Sequence, residues 1–267
     1  MTLDKFTKTL VLDGLPVRYL DVGNGPTLVL IHGYCESLGI FELLIRDLAR
    51  KHRVVAIDLP GHGGSDLIPG CHNLDNLAEW TSLVLRKLQV DNFFLIGHSM
   101  GGYLASAFAS QWPERLSGLC LLHSKAGPDT DFRKDQREKT IQFVELHGPK
   151  AFIRAFVRQL FHGENPDFAH RLLQIGSALS QDSILAYTEA MRDRRDYRRF
   201  IALLKVPVLY IAGKYDSILP LRDIRNEYIS LDNVKSIILK NAGHMSMYET
   251  PGELLETLLN FSKHYVH

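Results

Sequence analysis

FFLIGHSMGGYLASAFAS, Phe93 to Ser110, decides how this chain is read. Four apolar residues run into Gly-His-Ser-Met-Gly-Gly, and an alanine-rich helical pattern follows without a break. Glycine weakens both strands and helices, so a serine set among glycines at that junction needs a compensating reason. A sharp strand-to-helix turn supplies one. Such a turn holds its central residue in strained dihedrals and projects its side chain off the sheet edge. The flanking residues must then lack a Cβ, because strand and helix pass too close for one. Gly97-His98-Ser99-Met100-Gly101 matches G-x-S-x-G in that context, with a strand before it and a helix after it. The helix N-terminus beneath Ser99 would offer unpaired amides and a positive dipole end to negative charge developing beside the hydroxyl.

Outward from this stretch the same alternation repeats. TLVLIHG, RVVAIDLPG, SGLCLLHS, VPVLYIAG and VKSIILKNAG are nearly continuous apolar runs, the pattern of strands buried on both faces. FELLIRDLARKH and LDNLAEWTSLVLRKLQV are amphipathic helical patterns between them. TLVLDG and LPVRYLDVG at the start alternate and predict a hairpin turning at Asp13-Gly14. The fold class expected is therefore α/β, a mostly parallel central sheet flanked by helices. From about Ala126 to Phe200 no strand-like run occurs. REKTIQFVELHG, PKAFIRAFVRQLF, DFAHRLLQIGSALS and DSILAYTEAMRDRRDYRRFI read as helices, with joints at Gly148-Pro149 and Asn165-Pro166. The expected organisation is a core over residues 1–125, a helical insertion over 126–200, and the rest of the core over 201–267. The arginines of MRDRRDYRRF read as a solvated helix face. Phe152, Phe156, Phe161 and Phe168 either pack the insertion onto the core or line an apolar pocket, and packing is the simpler reading.

Bulk composition narrows the function classes. The 267 residues are 45% hydrophobic and 23% charged, enough for a large core in a soluble α/β domain. A net charge of +1 gives no global bias toward nucleic acid or an anionic membrane. No apolar run approaches the ~20 residues of a membrane span, and MTLDKFTKTLVLDG has no signal-peptide core. The three cysteines, Cys35, Cys71 and Cys120, have no metal spacing, and Cys120 in GLCLLH reads as a buried small hydrophobe. These features suggest a cytoplasmic protein. The twelve histidines show no HExxH or comparable spacing, so no metal and no organic cofactor is expected.

A serine needs a base within hydrogen-bond reach, and the base needs an orienting group. Where a nucleophile stands on such a turn, acid and histidine follow it in that order. Asp216 lies just past VPVLYIAG and His244 just past VKSIILKNAG, both at the carboxyl ends of strands, where open α/β sheets build their sites. Asp58 in DLPGHG is the rival acid, but it precedes Ser99 and reads as a brace for its own loop. Taken singly, Ser99 could be a helix cap, Asp216 a turn residue and His244 a surface imidazole. His32-Gly33-Tyr34-Cys35 follows an early strand; Gly33 lets the backbone turn so that the amide of Tyr34 points inward beside that of Met100, the pair needed for an oxyanion hole. His32 is expected to shape that loop, His62 and His98 to be structural, and His123 either to line the pocket or to pack.

The motifs HGYCES at 32–37, DLPGHGGSD at 58–66, GHSMGG at 97–102, GKYDSILP at 213–220 and GHMSMYETP at 243–251 together resemble the α/β-hydrolase fold superfamily, in its order and over nearly the whole chain. The insertion resembles its variable cap. The resemblance implies Ser99 as nucleophile, Asp216 as acid, His244 as base, and the amides of Tyr34 and Met100 as oxyanion donors. Relatives that hydrolyse epoxides or haloalkanes carry aspartate in place of Ser99, so serine implies acyl chemistry on a small-molecule ester, thioester or lactone. Menaquinone-pathway lyases often carry arginine after the glycine pair, where this chain has Tyr103. Carbon–carbon bond hydrolases, lyases, cofactor-free haloperoxidase-like enzymes and a catalytically silent receptor are the alternatives on the same scaffold.

Overall fold

The computed structural model describes residues 3–70, 72–228 and 233–265; Cys71 lies outside them. Chain order begins with β1 (Thr7–Leu12), β2 (Leu15–Val22), β3 (Thr27–Ile31), α1 (Glu42–Leu48), β4 (Arg53–Ile57), α2 (Leu74–Lys87), β5 (Phe93–His98), α3 (Met100–Gln111) and β6 (Leu116–Leu122). Five helices follow: α4 (Asp131–His147), α5 (Pro149–Val157), α6 (Pro166–Ser177), α7 (Gln181–Arg192) and α8 (Arg198–Leu203). The chain then returns to the sheet through β7 (Val208–Gly213), α9 (Leu221–Tyr228), β8 (Val234–Leu239), α10 (Ser246–Glu249) and α11 (Pro251–Tyr265).

The eight described strands form one sheet in the order β1-β2-β4-β3-β5-β6-β7-β8. Only β1–β2 and β2–β4 pair antiparallel; every other pair is parallel. The hairpin turns at Asp13 and Gly14, both at positive φ (50° and 83°), as a two-residue turn matched to strand twist requires. β5 and β7 are buried along their whole length and β3, β4 and β6 nearly so, which explains their unbroken apolar runs. β8 departs from that reading. It is an edge strand, and Lys235 and Ser236 are exposed on it; a charged side chain on an open edge disfavours pairing with another chain.

The glycines of the opening motif are explained by distances to neighbouring backbone. A Cβ on Gly97 would stand 2.2 Å from the Gly101 carbonyl oxygen, and one on Gly101 would stand 2.5 Å from the carbonyl oxygens of both Ile31 and His32. Helix α3 thus rests directly on the ends of β5 and β3. A Cβ on Gly102 would meet the Ser124 hydroxyl at 2.3 Å, so the start of α3 is equally close to the segment after β6.

The helices between β6 and β7 pack on one another, α4 on α7 and α5, and α5 on α6, while α8 packs on α3. The pattern DSILAYTEAMRDRRDYRRFI does not form a single helix: α7 ends at Arg192, and residues 193–197 cross to α8 without regular structure. Arg194, in that crossing, is not solvated. It is 5% exposed, its guanidinium lies 3.9 Å from the centre of the Tyr103 ring, and it pairs with Asp129 at 2.8 Å. It also donates to the carbonyls of Gly127 and Met191. A charged residue inside a charge run was indistinguishable from its exposed neighbours until the backbone turned it inward.

The close approach at Gly101 sets a test. Gly101→Ala is expected to destabilise by about 3 kcal/mol, the upper end of overpacking costs, lowering Tm by ~6–12 °C for a chain of this size. Gly252→Ala, where a Cβ meets nothing within 4 Å, should leave Tm unchanged or slightly higher. Thermal melts followed by circular dichroism decide; equal effects of the two substitutions would contradict the packing account.

Candidate active site

Ser99 occupies φ 51°, ψ −117°, a conformation seldom taken by a residue with a side chain. Hydrogen bonds on both sides hold it there. Its amide donates to Leu122 O (2.9 Å), and its carbonyl accepts from the Ser124 hydroxyl (2.7 Å) and the Gly102 amide (2.9 Å). The hydroxyl caps no helix amide. It lies 2.9 Å from His244 Nε2 instead, and His244 Nδ1 lies 2.7 Å from Asp216 Oδ2. The loops after β5, β7 and β8 therefore bring together all three side chains singled out in the sequence. His244 is 2% exposed and Asp216 5%, while Ser99 is half-buried.

Asp216 is bound on every side. Oδ1 accepts from the amides of Ile218 (2.9 Å) and Leu219 (2.8 Å). His123 Nδ1 lies 3.2 Å from Oδ2, and His123 Nε2 lies 2.7 Å from the Ser246 hydroxyl. Burial by itself would raise the Asp216 pKa; the His244 charge and the hydrogen bonds of His123 and His244 outweigh it and hold the carboxyl well below the usual carboxylate range. Burial pushes His123 down to about 4, so it stands as a neutral ring between Asp216 and Ser246, and its Nδ1 also accepts from the Gly213 amide at 3.2 Å. His123 does not line the cavity described below. His123, Asp216 and His244 also form the one group of three potential metal-binding side chains among the described residues. Their ligand atoms are already hydrogen-bonded to one another or to Ser246 and Ser99, which fits a proton network better than a coordination shell.

Two features of the histidine loop were not anticipated. Glu249 accepts from the amides of Gly243 (2.9 Å), Met245 (3.1 Å) and His162 (2.5 Å), clamping the backbone on both sides of His244 and tying it to the segment after α5. The His244 amide donates to Leu160 O (3.0 Å) in the same segment. Beneath the loop, His98 links Glu36 to the His244 carbonyl: Nδ1 lies 3.0 Å from Glu36 Oε2 and Nε2 3.0 Å from His244 O. Glu36 also accepts from the Gly33 amide at 2.6 Å. Burial opposes charge on both partners, yet the Glu36 charge and hydrogen bond raise the His98 pKa, and His98 lowers that of Glu36. His98 occupies the variable position of its motif. A carboxylate three residues after Gly33 was the only sequence signal that it had a partner.

The early loop approaches Ser99 as expected. A Cβ on Gly33 would stand 3.1 Å from Ser99 Cβ and 2.9 Å from His98 Nδ1. His32 shapes the loop, with Nδ1 2.8 Å from Gly33 O and Nε2 accepting from the Leu59 amide at 3.0 Å. Asp58, the rival acid, accepts from the amides of Leu38 (2.7 Å) and Gly64 (2.9 Å) and so braces its own loops. Met100 opens α3, where the first amides have no partner within the helix. The Tyr34 side chain does more than its backbone role required. Its hydroxyl donates to Ile184 O (3.1 Å) and lies 2.7 Å from Thr188 Oγ1, anchoring the loop to α7. Its ring packs on Phe152 and Phe156. These three aromatics, with Tyr103 and Leu219, line a cavity of about 350 Å³ under α4 and α5. Packing alone therefore does not describe Phe152 and Phe156, whereas Phe168 stacks on Tyr248.

This arrangement is found in a known family. Residues 26–251 match the model of the alpha/beta hydrolase fold, and the chain belongs to that family; it is an enzyme of the hydrolase fold. Among its relatives are the AB hydrolase superfamily protein YisY of Bacillus subtilis, 25% identical over 91% of this chain and 93% of that one. Another is the pimeloyl-[acyl-carrier protein] methyl ester esterase of Aeromonas salmonicida, 28% identical over 90% and 96%. A solved structure of a thermophilic esterase from Thermogutta terrifontis superposes with a TM-score of 0.89 at 24% identity, over 98% of each chain. Among the described residues no helix is long and apolar enough to cross a membrane.

The Glu36–His98 pair carries a pH signature. A histidine pKa raised by folding contributes stability that is complete below its unfolded value of ~6.5 and is lost as pH rises through the folded value. A lowered glutamate pKa contributes stability present above ~4.5 and lost as pH falls through the folded value. Glu36→Gln should cost about 2 kcal/mol, typical of a hydrogen bond to a charged group, or ~4–8 °C in Tm near pH 6. The difference between wild type and variant should shrink as pH is raised toward 9. Melts across that range that show a constant gap would contradict a charged pair.

Proposed function

We propose that the chain is a serine hydrolase of small to medium carboxylic esters or related acyl compounds, thioesters and lactones among them. The observation that carries this reading is the continuous line from Ser99 Oγ through His244 to Asp216, at 2.9 and 2.7 Å. His244 Nε2 takes the Ser99 proton as the oxygen attacks the carbonyl carbon. Asp216 keeps the Nδ1 proton in place and stabilises the imidazolium; its depressed pKa keeps it a carboxylate throughout. The amides of Tyr34 and Met100 receive the oxyanion, at the loop end held against Ser99 and at the first residue of α3. His244 then gives the proton to the leaving alcohol or thiol, and water, activated by the same ring, releases the acid from Ser99.

Residues 126–200 act in this reading as a cap over Ser99 that selects the substrate. The Tyr34 anchor on α7 and the contacts of Phe152 and Phe156 with Tyr34 support that role. The pimeloyl methyl ester esterases among the relatives support ester chemistry.

Ser99→Ala should lower kcat for 4-nitrophenyl butyrate by about 10⁴-fold or more and abolish labelling by a fluorophosphonate probe. Wild-type protein that neither turns over the ester nor takes the probe would favour a silent receptor. Probe labelling without ester turnover would favour another chemistry on the same serine.

A further inference from the structure

The cavity under α4 and α5 is not lined by aromatics alone. Lys125, Arg133 and Arg137 face it beside Tyr34, Phe152 and Phe156. Its fixed charges are unequal. Asp129 also lines it, but its two oxygens are taken up by Arg194 (2.8 Å) and Arg137 (3.2 Å). Arg133 donates to Ile218 O at 3.0 Å and pairs with Asp223 at 3.7 Å. Lys125 differs from these guanidiniums: it is 9% exposed, and among the described residues it makes no hydrogen bond and no ion pair. A mostly buried lysine whose ammonium has no direct partner is placed to receive an anion. Burial, and after it the nearby Arg194 charge, lower its pKa against the opposing pull of Glu227, Asp129 and Asp223.

Its place in the chain puts it next to a residue that holds the Ser99 backbone. Lys125 directly follows Ser124, whose hydroxyl donates to Ser99 O at 2.7 Å. Tyr103, on the same cavity wall, lies in the first turn of α3, and its amide approaches Ser99 O at 3.4 Å. Leu219, also on that wall, donates its amide to Asp216. Lys125 borders a second cleft as well, where Asp223 and Glu227 stand among Arg133, Arg198 and Arg222 and no aromatic ring but Phe132 lines the wall. Glu227 is committed to the amides of Ala126 (2.6 Å) and Gly127 (2.8 Å).

We infer that Lys125 is the recognition site for a free carboxylate on the substrate, so that the cavity accepts an acyl compound bearing a negative charge away from the reacting carbonyl. The aromatic side of the cavity holds the intervening carbon chain, and Arg133 and Arg137 add to the positive potential. This rests on the hydrolase reading for the reaction, but not for the binding itself.

Two measurements separate the layers. In the wild-type protein, adipate and its neutral counterpart 1,6-hexanediol are compared as inhibitors of 4-nitrophenyl butyrate hydrolysis. Adipate should inhibit at a concentration about 10- to 100-fold lower, the range of one charge-assisted hydrogen bond. Adipate binding is then followed by calorimetry in Ser99→Ala and in Ser99→Ala combined with Lys125→Gln. The second variant should bind about 10- to 100-fold more weakly. Lys125→Gln alone should raise KM for the mono-4-nitrophenyl ester of glutaric acid by a similar factor, while kcat/KM for 4-nitrophenyl butyrate stays within about threefold. Equal inhibition by adipate and hexanediol, or equal adipate binding with and without Lys125, overturns the inference even where esters are hydrolysed. Equal losses on both esters point to a structural role and overturn it too. Because calorimetry needs no turnover, it still reads the Lys125 site if Ser99 proves not to be the nucleophile. Should Lys125→Gln fail to fold, the inhibitor comparison in the unaltered protein decides alone.

Discussion

Contact of backbone with backbone at the start of α3 governs the rest of the molecule. Helix α3 meets β3 and β5 with no side chain between them, which only glycine at positions 97 and 101 permits. That approach leaves Ser99 no ordinary conformation; it sits at positive φ, held by Leu122, Ser124 and Gly102. Strain of this kind costs of order 1–3 kcal/mol and persists only where surrounding bonds over-determine it. The return is a hydroxyl that caps no amide of its own helix and meets a ring from a loop 145 residues downstream.

Around that hydroxyl the structure buries two carboxylates, and each is made tolerable by a different set of donors. Asp216 takes two backbone amides and two imidazoles. Glu36 takes one amide and the imidazole of His98. Desolvation opposes both charges, and the hydrogen bonds prevail in both. The two networks meet at His244: one grips its ring, the other its carbonyl. With Glu249 holding the flanking amides, the histidine is fixed at side chain and backbone alike. A ring so constrained loses little freedom when it moves a proton.

The helices between β6 and β7 contribute differently. Their charge is not spread evenly over a solvated face; Arg194 is drawn inside, over the Tyr103 ring, and shares Asp129 with Arg137. This buried cluster joins the helices to the segment after β6 and, among the described residues, leaves Lys125 without a directly bonded counter-ion. Tyr34 makes a second junction, from the loop after β3 to α7. Core and insertion therefore meet through polar anchors at both ends of the cavity, with aromatic rings between them.

The sequence by itself determined the parallel sheet, the hairpin at Asp13-Gly14, the turn at Ser99 and the order in which Asp216 and His244 follow it. Each of these rests on local chemistry: apolar runs long enough for one strand, glycines where a Cβ cannot fit, a polar residue just past a strand end. Tertiary structure alone decided which partners the buried charges found. Glu36 with His98, His123 with Asp216, and Arg194 with Tyr103 and Asp129 are pairings across 62 or more positions, and Lys125 has no direct partner among the described residues. A charged side chain carries no mark of its partner in its own neighbourhood of sequence. Its charge is legible there, but desolvation and distance, which decide what that charge does, come into being only when the chain closes on itself.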